Sequence, residues 1–275
     1  MLGAIVGDVV GSPYEFDWNN VKTTNFPLFS KRSKFTDDSV MTLAVAEALM
    51  MCGGKITEAE FESNVIKTMQ DFGARYPDAG YGARFSGWLV AKAPKPYNSF
   101  GNGSAMRVSP VAWAFDDLED VEQFAAVSAR VTHNHPEGIK GALATAVAIF
   151  LARQGKSQAE IRHHIEESYG YDLSRMLDEI RPKYHHVESC QETVPEAITA
   201  FLEGQNFEHA IREAVSLGGD SDTLTAITAS IAEAAWGIPP DIEAKVLSRL
   251  DPFLRDVLER WETWRTKRLS TPEDK

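Results

Sequence analysis

Apolar side chains recur at helical spacing through most of the chain, and no stretch alternates with the period of two that marks a half-buried strand. Phe61, Val65, Ile66, Met69 and Phe72 follow Thr57-Glu58-Ala59-Glu60, whose spacing is that of a capping box opening a helix. Ser157-Gln158-Ala159-Glu160 repeats the signal for a helix over about 158–169. Ile139, Leu143, Ala146, Val147, Phe150 and Leu151 lay out a long core helix over 137–153, and further helices are predicted at 119–131, 193–202, 207–217, 242–250 and 253–267. In the last of these Phe253, Leu254, Val257, Leu258, Trp261 and Trp264 share one stripe, read as core or a dimer face. Two segments, 40–52 and 224–236, are apolar or small nearly all round and so predict helices buried on most of their circumference. Residues 2–10 carry Gly3, Gly7 and, just beyond, Gly11 at a spacing of four, which in a helix lets a neighbouring backbone approach closely. Residues 17–35 and 170–192 lack periodicity; the first is read as a loop able to cover a site, the second as a lid or a long connection.

The pattern predicts an all-α protein, one domain of about ten or more helices over residues 1–269 with a polar tail at 270–275, and functional groups on helix N-termini and loops around a central cleft. With 275 residues, 43% of them hydrophobic, the chain is long enough for one large core, and no linker divides it. Forty acidic against 28 basic residues give a formal charge of -12, which argues against non-specific nucleic-acid binding and against attraction to anionic membranes. The apolar N-terminal segment is interrupted by Asp8 and is too short to span a bilayer. Cys52 and Cys190 share no metal or disulfide spacing, so a reducing, cytoplasmic setting is expected.

The chemistry concentrates where polar residues crowd against the two apolar helices. Gly218-Gly219-Asp220-Ser221-Asp222-Thr223 precedes one, and Thr36-Asp37-Asp38-Ser39 precedes the other. Each cluster alone is readable as an N-cap. Together they suggest two mouths of carboxylates and hydroxyls that converge, and four carboxylates meeting in an interior call for hard divalent cations, a pair being the natural solution. Glu15, between Tyr14 and Phe16, is a carboxyl that aromatics would shield from water, raising its pKa towards acid–base use; the plainer alternative is a solvent-facing acid. Tyr97 to Arg107, with Gly101, Gly103 and Ser104 opening onto an apolar run, has the form of a phosphate cradle or of an ordinary Gly/Asn turn. His133, in Thr132-His133-Asn134-His135, is read as a cap or hydrogen-bond donor before a metal ligand, and His163-His164 and His185-His186 as solvated faces.

Taken in order, Gly7-Asp8-Val9-Val10-Gly11, Tyr14-Glu15, Thr36-Asp37-Asp38-Ser39, Gly101-Asn102-Gly103-Ser104-Ala105-Met106-Arg107, Thr132-His133 and Gly219-Asp220-Ser221-Asp222-Thr223 resemble the ADP-ribosylglycohydrolase family over nearly the whole chain. The resemblance implies an all-α fold with two Mg²⁺ or Mn²⁺ ions, Thr36, Asp37, Asp38, Asp220, Asp222 and Thr223 standing at the ligand positions. It implies a pyrophosphate loop at Gly101, Asn102, Gly103 and Ser104 with Ser99 before it, Phe100 against adenine, and His133 near a phosphate or ribose. Glu15 matches the mobile glutamate of the branch that releases ADP-ribose from serine or from O-acetyl-ADP-ribose. Ser39 and Ser221 replace threonines common in the family and keep the hydroxyl. The implied partner is an ADP-ribose-containing substrate, an ADP-ribosylated protein included. Two rivals remain at this point: a non-catalytic ADP-ribose-binding protein on the same fold, and a Mg-dependent isoprenoid synthase, whose Asp-rich motif would need an acid where Met41 stands.

Overall fold

In the computed structural model, which describes residues 1–270, the chain is a layered stack of helices with no strand among the described residues. In chain order these are α1 (Leu2–Gly11), α2 (Asp37–Met51), α3 (Glu58–Arg75), α4 (Ala83–Leu89), α5 (Gly103–Met106), α6 (Ser109–Ala114), α7 (Leu118–Arg130), α8 (Pro136–Arg153), α9 (Gln158–Tyr169), α10 (Leu177–Ile180), α11 (Cys190–Leu202), α12 (Phe207–Leu217), α13 (Ser221–Trp236), α14 (Pro240–Leu247) and α15 (Pro252–Ser270). Ser270 ends the last helix, and the rest of the tail expected at 270–275 lies outside the described residues. No helix among the described residues is long and apolar enough to cross a membrane.

The all-round apolar sequence of 224–236 has the consequence it predicts. α13 is the axis of the molecule, buried from Ser221 through Ala232 and packed against α1, α8, α11 and α12. α2, equally apolar, lies between α1, α3, α6 and α15. Around these, helices with one apolar face form the outer layer, as α12 does with Phe207, Ala210, Ile211, Ala214 and Val215 turned inward. In α15, Trp261 is wholly buried and stacks on Trp264 at 5.1 Å, so the tryptophan stripe is core.

Two capping boxes were expected and one forms. Ser157 and Glu160 satisfy each other's backbone reciprocally, whereas Glu60 turns from Thr57 to the Gly53 amide at 3.1 Å, leaving only the Thr57 half. The irregular stretch 170–192 contains α10 and already enters α11 at Cys190. α4 lies in a segment whose periodicity is too short to announce it.

Candidate active site

The site is built on the glycine stripe of α1. A Cβ placed on Gly11 would lie 2.5 Å from the Ser221 carbonyl oxygen and 2.6 Å from Asp222 Cα, so only glycine lets α1 press on the first turn of α13. One turn back along α1, Asp8 is wholly buried and accepts from Thr36 N and Thr36 Oγ1, each at 2.8 Å, from Ser39 N at 3.1 Å, and from Ser39 Oγ. Even with four donors, burial pushes its carboxyl up to about 6. One helix thus holds α13 by its glycines and the head of α2 by its single acid. The two acidic mouths meet in consequence: Thr223 Oγ1 donates to Asp38 Oδ2 at 3.1 Å across 185 positions of sequence.

At this junction the carboxylates are not spent on capping. Thr36 caps α2, accepting from Asp38 N, and leaves Asp37 and Asp38 in the first turn. Asp220 stands at the cap position of α13 without a capping bond; its Oδ2 accepts from Asn102 Nδ2 at 2.7 Å instead. Gly218 and Gly219, at φ of 73° and 74°, make the turn that aims it inward. Glu15 follows the 3₁₀ turn Ser12–Tyr14, and its carboxylate joins those of Asp220 and Asp222, with one oxygen of each lying within 4.8 Å of the others. Burial, then mutual repulsion, holds Asp37, Asp38 and Asp222 well above the usual carboxylate range. Burial pushes Asp220 and Glu15 up to about 7, Asp222 adding to the effect on Glu15. Asp38 Oδ1 is buried without a hydrogen-bond partner. Hard oxygen donors in excess, repelling one another and leaving an oxygen unpaired, fit a divalent cation.

These acids form one end of a cleft of about 370 Å³ whose other end is lined by Arg84, Phe85, Tyr97, Ser99, Gly101 and His133. The glycine turn is partly tied down. Gly101 N donates to Ser99 Oγ at 3.1 Å and Asn102 N to the Glu188 carbonyl at 2.8 Å, which leaves the Gly103 and Ser104 amides at the head of α5. Ser104 Oγ turns away to the Gly138 carbonyl at 2.7 Å, and the Asn102 side chain serves Asp220. Phe100, expected against adenine, is half exposed and is not among the cleft-lining residues; its ring lies edge-on to His135, which itself caps α8. His133 is buried, and desolvation, reinforced by Arg107 and Arg84, holds it well below the usual imidazole range and therefore uncharged.

Four contributors were given no role by the sequence, though Asp8 and Tyr97 lie within segments it singled out. Asp8 is a lone acid in an apolar run, a signal that was available. Arg84 and Tyr97 reach the cleft from α4 and the loop after it, the guanidinium lying 4.8 Å from the Tyr97 ring centroid. His186, expected on a solvated face, instead lines the cleft, 4.9 Å from the Phe16 ring and 3.2 Å from Glu188 Oε1. The cause is the path of its backbone. The Tyr184 carbonyl accepts from Lys22 Nζ at 2.7 Å and Cys190 N donates to the Phe100 carbonyl at 2.9 Å, so the segment between runs as a strap with His186 and Glu188 facing the cleft. His163, by contrast, is exposed as expected.

A helical stack in which two largely buried helices open, acid-first, onto a cleft with a glycine turn opposite defines the class of all-α glycohydrolases. The chain belongs to the ADP-ribosylglycohydrolase family, whose model matches residues 1–272. It is 29% identical to human ADP-ribosylhydrolase ARH3, over 86% of this chain and 84% of that protein. It is 25% identical to the ADP-ribosyl-[dinitrogen reductase] glycohydrolase of Rhodospirillum rubrum, over 94% and 91%. Among solved structures it shares the fold of an ADP-ribosylglycohydrolase-related protein complex, with a TM-score of 0.68 and 24% identity over 98% of this chain and 96% of that one. Family membership sets aside the isoprenoid synthase reading.

Proposed function

We propose that the protein hydrolyses the bond between C1″ of the distal ribose and an acceptor, releasing ADP-ribose from serine- or arginine-linked ADP-ribosyl protein or from O-acetyl-ADP-ribose. The observation that carries the reading is the polarity of the cleft: converging carboxylates with an unpaired oxygen at one end, glycine amides and an uncharged imidazole at the other. Thr36, Asp37, Asp38, Asp220, Asp222 and Thr223 would hold two Mg²⁺ or Mn²⁺ ions, which supply electrophilic polarisation of sugar oxygens and of a water. The Gly103 and Ser104 amides and His133 would bind the diphosphate and adjoining ribose, and the exposed ring of Phe100 would take the adenine. Glu15, raised by burial above the usual carboxylate range, stands where it can transfer a proton to the departing acceptor, and Phe16 and His186 beside it limit the access of water. Every expected ligand position keeps its oxygen and Glu15 is in place, which favours catalysis over a binding-only role. Cys52 and Cys190, both free and buried, are in keeping with a reducing cytoplasm.

The test is ADP-ribose release from arginine-linked, serine-linked and O-acetyl substrates with and without divalent cation, set against an Asp37→Ala Asp222→Ala variant. Cation-dependent release from at least one substrate, lost in the variant, is expected. Release from none, or full activity in the variant, overturns the reading.

A further inference from the structure

Behind His133 runs a chain of hydrogen bonds that begins at a buried cation. Arg107, 1% exposed, donates from Nη2 to Thr132 Oγ1 at 2.8 Å and to the Ser128 carbonyl at 3.1 Å. Thr132 Oγ1 in turn lies 2.6 Å from His133 Nδ1. Which of these two atoms carries the shared proton follows from the other acceptor near the hydroxyl. The Ala129 carbonyl, 3.5 Å from Thr132 Oγ1, already accepts from Thr132 N at 3.1 Å and from His133 N at 2.8 Å, so both its lone pairs are engaged. A guanidinium only donates, so Thr132 Oγ1 accepts from Arg107 and its own proton has one good destination, Nδ1. The imidazole must then carry its hydrogen on Nε2. A Cβ built on Gly101 or on Gly103 would be 3.5 Å from that nitrogen, so Nε2 faces the glycine turn inside the cleft.

We propose that Arg107 and Thr132 are positioning residues that fix His133 as the Nε2–H tautomer, so that it donates a hydrogen bond to a phosphate or ribose oxygen of the ligand held at Gly101 and Gly103. The device gives the cleft a directed donor that needs no ionisation, and therefore no loss of binding as pH rises through the usual imidazole range. Arg107 strengthens the relay by polarising the hydroxyl, with Nη2 directed at Thr132 Oγ1. Only the identity of the acceptor rests on the ADP-ribosyl reading; the tautomer does not.

Two measurements test it. Long-range ¹H–¹⁵N correlation on histidine-labelled protein reports each ring nitrogen directly, and the expected result is a protonated Nε2 and a bare Nδ1 in His133, unchanged between about pH 6 and 8. Calorimetric titration with ADP-ribose is expected to show about tenfold weaker binding for Thr132→Val, the scale of one lost hydrogen bond, and affinity near that of the wild type for Thr132→Ser. Among direct replacements His133→Gln, with an amide able to donate near the Nε2 position, should bind better than His133→Asn. A protonated Nδ1 in the wild type, or a Thr132→Val protein with unchanged spectrum and affinity, overturns the relay. The expected spectrum in a protein that fails to bind ADP-ribose supports the relay and overturns the functional reading instead.

Discussion

Asn102 shows how a residue's neighbours can reassign it. By sequence it belongs to the glycine turn, yet its amide nitrogen holds Asp220 at 2.7 Å and approaches Thr193 Oγ1 at 3.1 Å. Asn102→Ala is therefore expected to weaken divalent-cation affinity by about tenfold or more, as loss of an orienting partner does elsewhere, with a smaller effect on ADP-ribose binding. Calorimetry with Mn²⁺ and with ADP-ribose separates the two. Glu15→Gln should lower kcat by about 100-fold or more at little cost in KM, measured on whichever linkage the protein cleaves; unchanged turnover would remove Glu15 from proton transfer. At this scale the sequence was informative wherever chemistry clustered, at 36–39 and 218–223. It was silent wherever a function depends on what folds against a residue: Arg84 is one arginine among many until α4 is placed, and Thr132 is a helix-end hydroxyl until Arg107 lies beneath it.

Among the helices, the fold was readable in proportion to length and regularity. The long apolar or amphipathic segments appear within a few residues of where spacing puts them, because a helix of three or more turns must repeat its buried face. α4 and α10 are too short to repeat anything. The stripe Gly3, Gly7, Gly11 carried more than a helix assignment, since a spacing of four with no side chains forecasts a close neighbour, and α13 is that neighbour. Gly11→Ala tests the seam. Its methyl group meets backbone rather than a flexible side chain, so a loss of about 2 kcal/mol or more in stability is expected, together with activity lower than that loss alone would cause, because α1 carries Asp8 and leads into Glu15. Thermal melts and turnover at a temperature where the variant is fully folded distinguish the two effects.

Over the whole molecule, burial of so many carboxylates sets how stability responds to pH. Asp8, pushed up to about 6, and Asp220 and Glu15, pushed up to about 7, hold protons in the folded chain that the unfolded chain has already released near its ordinary 3.8 to 4.5. The folded state then binds more protons, so the stability these three contribute falls as pH rises from about 4 through 7, and Asp37, Asp38 and Asp222, held well above the usual range, act in the same direction. With chelator present, the melting temperature at pH 8 is expected to lie below that at pH 5 by about 5 °C, and Mg²⁺ should restore it at pH 8 far more than at pH 5. A melting temperature that is flat or rises over this range without cation would show that these acids do not resist ionisation.

The seam between α1 and α13 also fixes when a growing polypeptide acquires its chemistry. One partner of the Thr223 to Asp38 contact leaves the ribosome early and the other 185 residues later, so no fragment stopping short of α13 holds both halves of the acidic junction. A nascent or prematurely terminated chain is thus inert at this centre, and the first appearance of tight cation binding would serve as a clock for completion of the fold.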